Sequence, residues 1–262
     1  MVVSTLHREV FEPVAPVLRR AMRTRVMGAV GILAVLACGW WVTSSRIFEL
    51  RNLHVAGNAH LAPGQIARLA GLSDTTNVFW FSSSRAERRL ESSPWVLSAR
   101  VSRTLPSEVS IVVREREPVA VVSEGVGPRL LVAADGTILG PAGRMRGLPL
   151  ILTTVRQAGP RRWIDAHTPQ LILASELPAS ARSVIASIDV GSDGQAALSL
   201  RGEVPVVFGD LTQVDAKGQS LVAVLSWAER KGVHPASIDV SVPGAPALVP
   251  AGAASTGAPA GH

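Results

Sequence analysis

Between Arg25 and Arg46 the chain runs for twenty residues without a charge, VMGAVGILAVLACGWWVTSS. As a helix rising 1.5 Å per residue, that stretch is about 30 Å long, the thickness of a bilayer's hydrocarbon. Residues 26–46 are therefore read as a transmembrane helix, and everything after them must fold while tethered to a membrane. Arg19, Arg20, Arg23 and Arg25 stand upstream, whereas only Arg46 precedes Glu49 downstream. This bias places the basic tail, residues 1–25, in the cytoplasm and the rest of the chain outside, a type II single-pass arrangement in the plasma membrane. Trp40 and Trp41 fall near the outer end, where indole rings favour the headgroup region. A cleaved signal peptide would need a small-x-small site where these two bulky residues stand, so retention is the favoured reading. Val35-Leu36-Ala37-Cys38 resembles a lipobox only loosely, and Cys38 is read as a small apolar residue facing lipid or another helix.

The formal charge of +6 over 262 residues invites a nucleic-acid reading, but its distribution argues against one. Residues 1–25 hold five Arg and two Glu, and residues 121–262 hold eleven charges of each sign. Half of the excess thus lies in the first tenth of the chain and serves topology. Arg85, Arg88 and Arg89 read as a solvated helix face, since an exported domain does not meet the genome, and Tyr is absent as a stacking platform. A single Cys excludes an internal disulfide and a Cys-based zinc site.

From Phe48 the pattern becomes short and alternating. Phe48, Leu50, Leu53 and Val55 predict a strand that stops at the turn pair Gly57-Asn58. Pro63 opens a short helix closed by Gly71, and Ser82–Ser84 precede a second, charged helix from Arg85 to Glu91 with Leu90 buried. Strands are expected over Val96–Arg103, ended by Leu105-Pro106, and over Val109–Arg114. The order strand, helix, helix, strand, strand describes a two-layer α+β domain over residues 48–118.

Several segments together carry a resemblance: Leu53–Asn58 with its V-x-G-N; Pro94–Pro106, which reads P-W-V-x-x-A-x-V-x-R-x-x-P; and the closing Glu115-Arg116 with Pro118-Val119-Ala120. As a set they resemble the POTRA module of the FtsQ/DivIB family of bacterial division proteins. A short basic tail and one spanning helix directly before the module match that family too.

After Pro118 the composition turns to β, and residues 119–245 are expected to form a β-rich domain. Strands are predicted at Val119–Ser123, Arg129–Ala133, Thr137–Leu139, Leu148–Leu152, Val184–Val190, Ala196–Arg201 and Val204–Phe208. Helices are predicted around Thr168–Glu176 and Ala216–Lys231, the latter with the stripe Leu221, Val224, Leu225 and Ala228. Ile238–Val242 is the last predicted strand. Residues 246–262, without charge and rich in Ala, Gly and Pro, read as a disordered tail.

Catalytic groups are scarce. His54 and His60 flank a turn without the carboxylates or Cys that would complete a metal shell. Gly125-Val126-Gly127-Pro128 lacks the strand-to-helix setting of a phosphate loop, and no G-x-S-x-G or S-x-x-K is present. Arg114-Glu115-Arg116-Glu117 is read as a solvated strand end with local ion pairs rather than a binding patch. No catalytic, cofactor or metal site, small-molecule substrate or nucleic-acid partner is expected.

What remains is binding through a strand edge, and Ile238, Asp239, Val240, Ser241 and Val242 are the candidate. The family resemblance implies that this region receives an FtsB-type partner accompanied by an FtsL-type protein, within a non-enzymatic scaffold at the division septum. Ile238, Asp239 and Val240 match the family's V-D-L pattern. Ser241 and Val242 depart from the Arg-Tyr that follows it in some members, and no Trp lies downstream. The POTRA module is expected to face other septal proteins or membrane components. The alternative is an envelope assembly or secretion factor, which would call for further POTRA repeats or a barrel.

Overall fold

A computed structural model describes residues 15–125 and 127–251, with side chains from Val26 onward. Helix α1, Ala15–Thr43, runs without a break through Arg19, Arg20, Arg23 and Arg25 into the apolar span. Its stretch Val26–Thr43 is, among the described residues, the one helix long and apolar enough to cross a membrane, and none of it is buried by protein. A single 3-10 turn, Arg46–Phe48, separates it from the first folded domain.

That domain has the expected order: β1 (Asn52–Ala56), α2 (Pro63–Ala70), α3 (Ser83–Glu91), β2 (Val96–Thr104) and β3 (Glu108–Glu115). β3 lies in the middle, parallel to β1 and antiparallel to β2. Its core is Val109, Ile111 and Val113 from the central strand, Val96 and Val101 from β2, and Ile66, Ala70, Ala86 and Leu90 from the helices. Val96 and Val101 are five residues apart, so a strict two-residue alternation would place them on opposite faces. A register shift between Val96 and Ser98 inserts one residue and returns both to the core. Gly57 ends β1 at φ +81°, a left-handed conformation, with no room for a Cβ against the Val113 carbonyl oxygen.

The run Glu115–Glu117 is not the solvated strand end that the charge pattern suggests. The Glu115 side chain is only 5% exposed. Its carboxylate accepts the backbone N–H groups of His60 (2.7 Å) and Leu61 (3.0 Å), with the His60 ring at 3.2 Å. Burial opposes ionisation there, but the N–H groups of His60, Leu61 and Ala59 outweigh it and hold the carboxyl below its ordinary range. Arg116 donates to the carbonyls of Pro94 (3.0 Å) and Val96 (2.6 Å) and to Asp135 Oδ2 (2.7 Å). Arg182 reaches Glu117 at 3.3 Å. These groups clasp the first domain to the second.

The second domain starts at once with β4 (Pro118–Ser123), every residue of which is buried. It continues with β5 (Leu130–Ala133), β6 (Ile138–Pro141), β7 (Leu150–Leu152), a small hairpin of β8 (Arg156–Ala158) and β9 (Arg161–Trp163), helices α4 (Pro169–Glu176) and α5 (Ala179–Val184), β10 (Ile185–Val190), β11 (Ala196–Leu200), β12 (Pro205–Gly209), α6 (Val214–Lys231), β13 (Pro235–Asp239) and β14 (Ala247–Pro250). Nine strands form one mixed sheet in the order β14-β13-β12-β11-β10-β7-β4-β5-β6. The main core joins the sheet to α4, α5 and α6 through Leu171, Leu173, Ile185, Phe208 and Leu221. On the opposite face a smaller cluster of Val121, Leu131 and Leu139 is packed by Trp95 of the first domain.

Two further expectations need correction. β14 lies within the stretch read as a disordered tail, because Leu248 can pack on the core once β13 offers it a pairing edge. The strand expected over Ile238–Val242 ends at Asp239, where the carboxylate accepts the Ser241 N–H (2.8 Å) and turns the chain. The β8–β9 hairpin and α5 were not anticipated, being too short to show a period. The remainder of the tail, residues 252–262, and residues 1–14 lie outside the described residues.

Replacing Gly57 by Ala should lower stability by about 1–3 kcal/mol, the usual range for forcing a side chain into such a conformation, whereas Gly64→Ala, at an open helical position, should be neutral or stabilising. Thermal unfolding of the full chain in micelles would show the contrast. A second expectation concerns acid. Because the Glu115 carboxyl is a stronger acid folded than unfolded, its contribution is complete above about pH 5 and disappears as pH falls through the lowered folded value. Glu115→Gln should therefore cost about 2 kcal/mol near neutrality, the scale of hydrogen bonds to a charged group, with the gap to the native chain closing toward pH 3. Denaturant titrations at several pH values would measure it.

Candidate partner-docking edge

A strand edge is free to receive another chain only if its outward N–H and C=O groups are unspent. At β2 they are partly spent: Glu87 accepts the Val101 N–H (2.8 Å) and Glu91 accepts the Ala99 N–H (3.2 Å). Helix α3 thus covers the outer side of β2 with its own carboxylates. The two Glu of this helix, which stand between the arginines read as a solvated face, thus in part block an edge.

The large sheet ends on β6 at one side and β14 at the other. β13 pairs parallel with β12 through Val206↔Ile238 and Val207↔Asp239, and antiparallel with β14 through Ser237↔Val249, Ile238↔Leu248 and Asp239↔Ala247. Ile238 and Val240 are buried, and the Val240 N–H donates to Val207 (2.9 Å). Asp239 and Ser241 form the turn just described, the two Ser241 donors holding the Asp239 carboxyl below its usual range, and Val242 is exposed beyond it. The five residues read as the docking strand therefore comprise an interior strand and its exit turn. The open edge lies one strand further out, on β14.

The Ala251 N–H donates to the His234 carbonyl (2.7 Å), which fixes the alternation of β14: Ala247, Val249 and Ala251 address β13, and Pro246, Leu248 and Pro250 address the outside. Two of the three outward positions are proline and lack a donor. The outer edge thus offers one N–H, that of Leu248, beside several carbonyls.

Side chains supplement this backbone. Ala223, Val224 and Trp227 of α6, with Val233, Pro246, Leu248 and Pro250, line an open, largely apolar cavity of about 570 Å³. Trp227 is 46% exposed, as is Val249. No Trp lies downstream of the last expected strand, and the aromatic side chain stands instead on the helix before it, as Trp227. Helix α6 is held in place by Lys217, which is buried and donates to Asp210 Oδ1 (2.6 Å) and to the Asp210 carbonyl (2.8 Å). Hydrogen bonds from Lys217 and then Thr212 lower the Asp210 carboxyl to about 2.

For the other residues considered, His54 stands 3.7 Å from Glu108 and His60 3.2 Å from Glu115, each beside one carboxylate. Among the described residues no group of three His, Cys, Asp or Glu side chains converges. Trp40 and Trp41 are exposed at the end of α1, and Cys38 is exposed on the same helix.

Comparison with known proteins converges on one family. The family description "POTRA domain, FtsQ-type" matches residues 48–116, ending where Arg116 clasps the second domain. A cell division protein FtsQ from Streptomyces bingchenggensis is 28% identical over 238 residues, covering 87% of this chain and 88% of its own. One from Rhodothermus marinus is 29% identical over 182 residues, 68% of this chain and 65% of its own. Those of Syntrophotalea carbinolica and Koribacter versatilis, 32% and 31% identical, are matched over about a third of their lengths, 36% and 33%. With its single apolar helix, its FtsQ-type POTRA domain and the β-rich domain behind it, the chain is similar over most of its length to cell division proteins FtsQ.

Proposed function

We propose that this protein is a non-enzymatic scaffold of the bacterial septal division complex, anchored in the plasma membrane with its N-terminus in the cytoplasm and its two folded domains outside. The relatives, each named a cell division protein, support the process. The excess of Arg before the apolar helix supports the orientation. Its partners are an FtsB-like and an FtsL-like membrane protein, received at the end of the nine-stranded sheet.

The observation that carries this reading is the pairing of an open terminal strand with an apolar groove along its flank. A partner segment can add to β14 through the Leu248 N–H and the outward carbonyls while a hydrophobic side chain settles against Trp227 and Leu248. Aromatic residues in such settings dominate binding energy. With few backbone donors on the edge, the side chains must supply most of the selectivity.

Two measurements test it. A photo-reactive residue at Val249 or Trp227 in growing cells should capture a small coiled-coil membrane protein, while one at Arg88, on the POTRA domain, should not. Absence of any adduct at both groove positions, with the protein present at the membrane, would remove the β14 edge as the dock. With purified full chain, Trp227→Ala should weaken binding of the FtsB/FtsL-like pair by about tenfold or more, a typical cost for an aromatic anchor, with unfolding unchanged. Unaltered affinity would mean the groove is a bystander.

A further inference from the structure

Helix α1 does not simply release the POTRA domain into solvent. The Asn77 amide donates to the Thr43 carbonyl at the helix end (2.7 Å). The Val78 N–H donates to Phe48 (2.7 Å) and the Leu50 N–H to Thr76 (2.9 Å), so residues 48–50 and 76–78 pair directly beneath the domain. Asn77 Oδ1 accepts the N–H groups of Phe79 (2.9 Å) and Trp80 (3.3 Å) and so fixes the next loop beside the helix. Arg103 anchors that loop from behind, donating to the carbonyls of Phe79 (2.6 Å) and Phe81 (2.8 Å).

A line of aromatic rings results. Phe48 meets Phe79 at 5.5 Å, Phe79 meets Trp80 at 5.2 Å, and Trp80 meets Trp40 of α1 at 5.4 Å. Although touching, Trp40 and Trp80 remain 65% and 56% exposed, and Trp41 and Ile47 are exposed next to them. Residues 75–84 carry no charge. Val78 is buried and Phe79 and Phe81 are half-buried, Phe81 against the domain core, so the loop presents Trp80 beside Trp40 and Trp41, and exposed apolar patches mark interaction sites.

What covers this patch follows from depth. Trp40 lies three residues before the end of α1, about 4–5 Å inside it, and about 21 Å along the helix from Val26. The apolar run gives way to Ser44, Ser45 and Arg46 directly after Thr43, and with the hydrocarbon boundary there Trp40 lies about 4–5 Å below it, within an indole's reach of the headgroup region. Trp80, stacked on Trp40, must lie at the same height. We propose that the α2–α3 loop of the POTRA domain, Val78–Phe81, is a second membrane contact that seats Trp80 in the headgroup region and fixes the height and tilt of the domain. The occupant is the lipid surface itself, continuous with the surface α1 crosses. This inference rests on α1 being a membrane span.

The test uses the full chain with Cys38→Ala, reconstituted into vesicles of phosphatidylcholine and phosphatidylglycerol. Nitroxide labels are placed at Trp80→Cys, at Ile32→Cys within the span, and at Val112→Cys on the exposed POTRA sheet. The label at 80 should be shielded from a water-soluble nickel chelate at least fivefold relative to 112, with oxygen accessibility between 112 and 32. Equal exposure of 80 and 112 to the chelate overturns the proposal while leaving the span intact. Chelate access at 32 as well would overturn the span and the loop contact together. Because the label itself could displace the loop, the unlabelled chain is compared with Trp80→Phe in vesicles of brominated lipid. The difference emission, which isolates Trp80, should be quenched at least twofold relative to plain lipid. Unquenched emission at the wavelength of indole in water overturns the contact by a second route.

Discussion

The guanidinium of Arg116 holds the two folded domains together, and the placement of everything beyond it depends on that clasp. β3 ends at Glu115 and β4 begins at Pro118, which leaves two residues between one sheet and the next. Arg116 fills this gap with hydrogen bonds backward to Pro94 and Val96 and forward to Asp135, its own N–H donating to Trp95 (2.8 Å). Partial burial opposes ionisation of the Asp135 carboxyl, but the Arg116 guanidinium and the Thr137 N–H outweigh it and hold the carboxyl below its ordinary range, so the ion pair persists across the physiological range. A Lys here could not make the same forked set of contacts in fixed directions. Trp95 adds an apolar seal, packing on the rear cluster of the second domain.

With a linker this short and this well bonded, orientation is transmitted rather than lost between domains. At the membrane end, Asn77 and the aromatic line tie the POTRA domain to the C-terminal end of α1. At the far end, Lys217 ties α6 to the corner after β12, and α6 lines the groove beside β14. Each joint uses one polar side chain to satisfy backbone carbonyls or a carboxylate that a loop would otherwise leave to water. A partner that is itself a membrane protein would then meet the β14 edge at a set height above the bilayer.

How far the residues alone revealed this arrangement depended on the range of the interactions involved. The spanning segment, the βααββ order, Gly57 and helix α6 were readable because each is fixed by local period, charge or turn chemistry. Val96 and Val101 were readable as apolar but not as sharing one face, since the bulge that aligns them is a property of the β2–β3 pair. Glu115 and Arg116 look solvated in any local reading. They are held by donors and acceptors some 20 to 55 residues away, at Pro94, Asp135, His60 and Leu61. β14 was hidden for a similar reason, as four residues that follow Pro246 and end on Pro250 form a strand only once β13 offers them an edge. The docking strand was consequently expected one strand too far inward, on Ile238–Val242, while Trp227 stood unnoticed on the helix before it.

The composition of β14 suggests how an open edge is tolerated on a nine-stranded sheet. An unprotected terminal strand is a template for any extended chain, and the hazard grows with the number of outward donors. Pro246 and Pro250 remove two of three, and the outward positions cannot sustain a continuous ladder. Indiscriminate pairing is thereby weakened, while the Leu248 N–H and the apolar groove of Trp227 and Leu248 stay accessible. At β2 the same hazard is met by a different device, the carboxylates of Glu87 and Glu91 laid along the strand. The β2 edge is covered by side chains, whereas β14 is only restrained by its prolines and keeps one donor and an apolar groove open beside it.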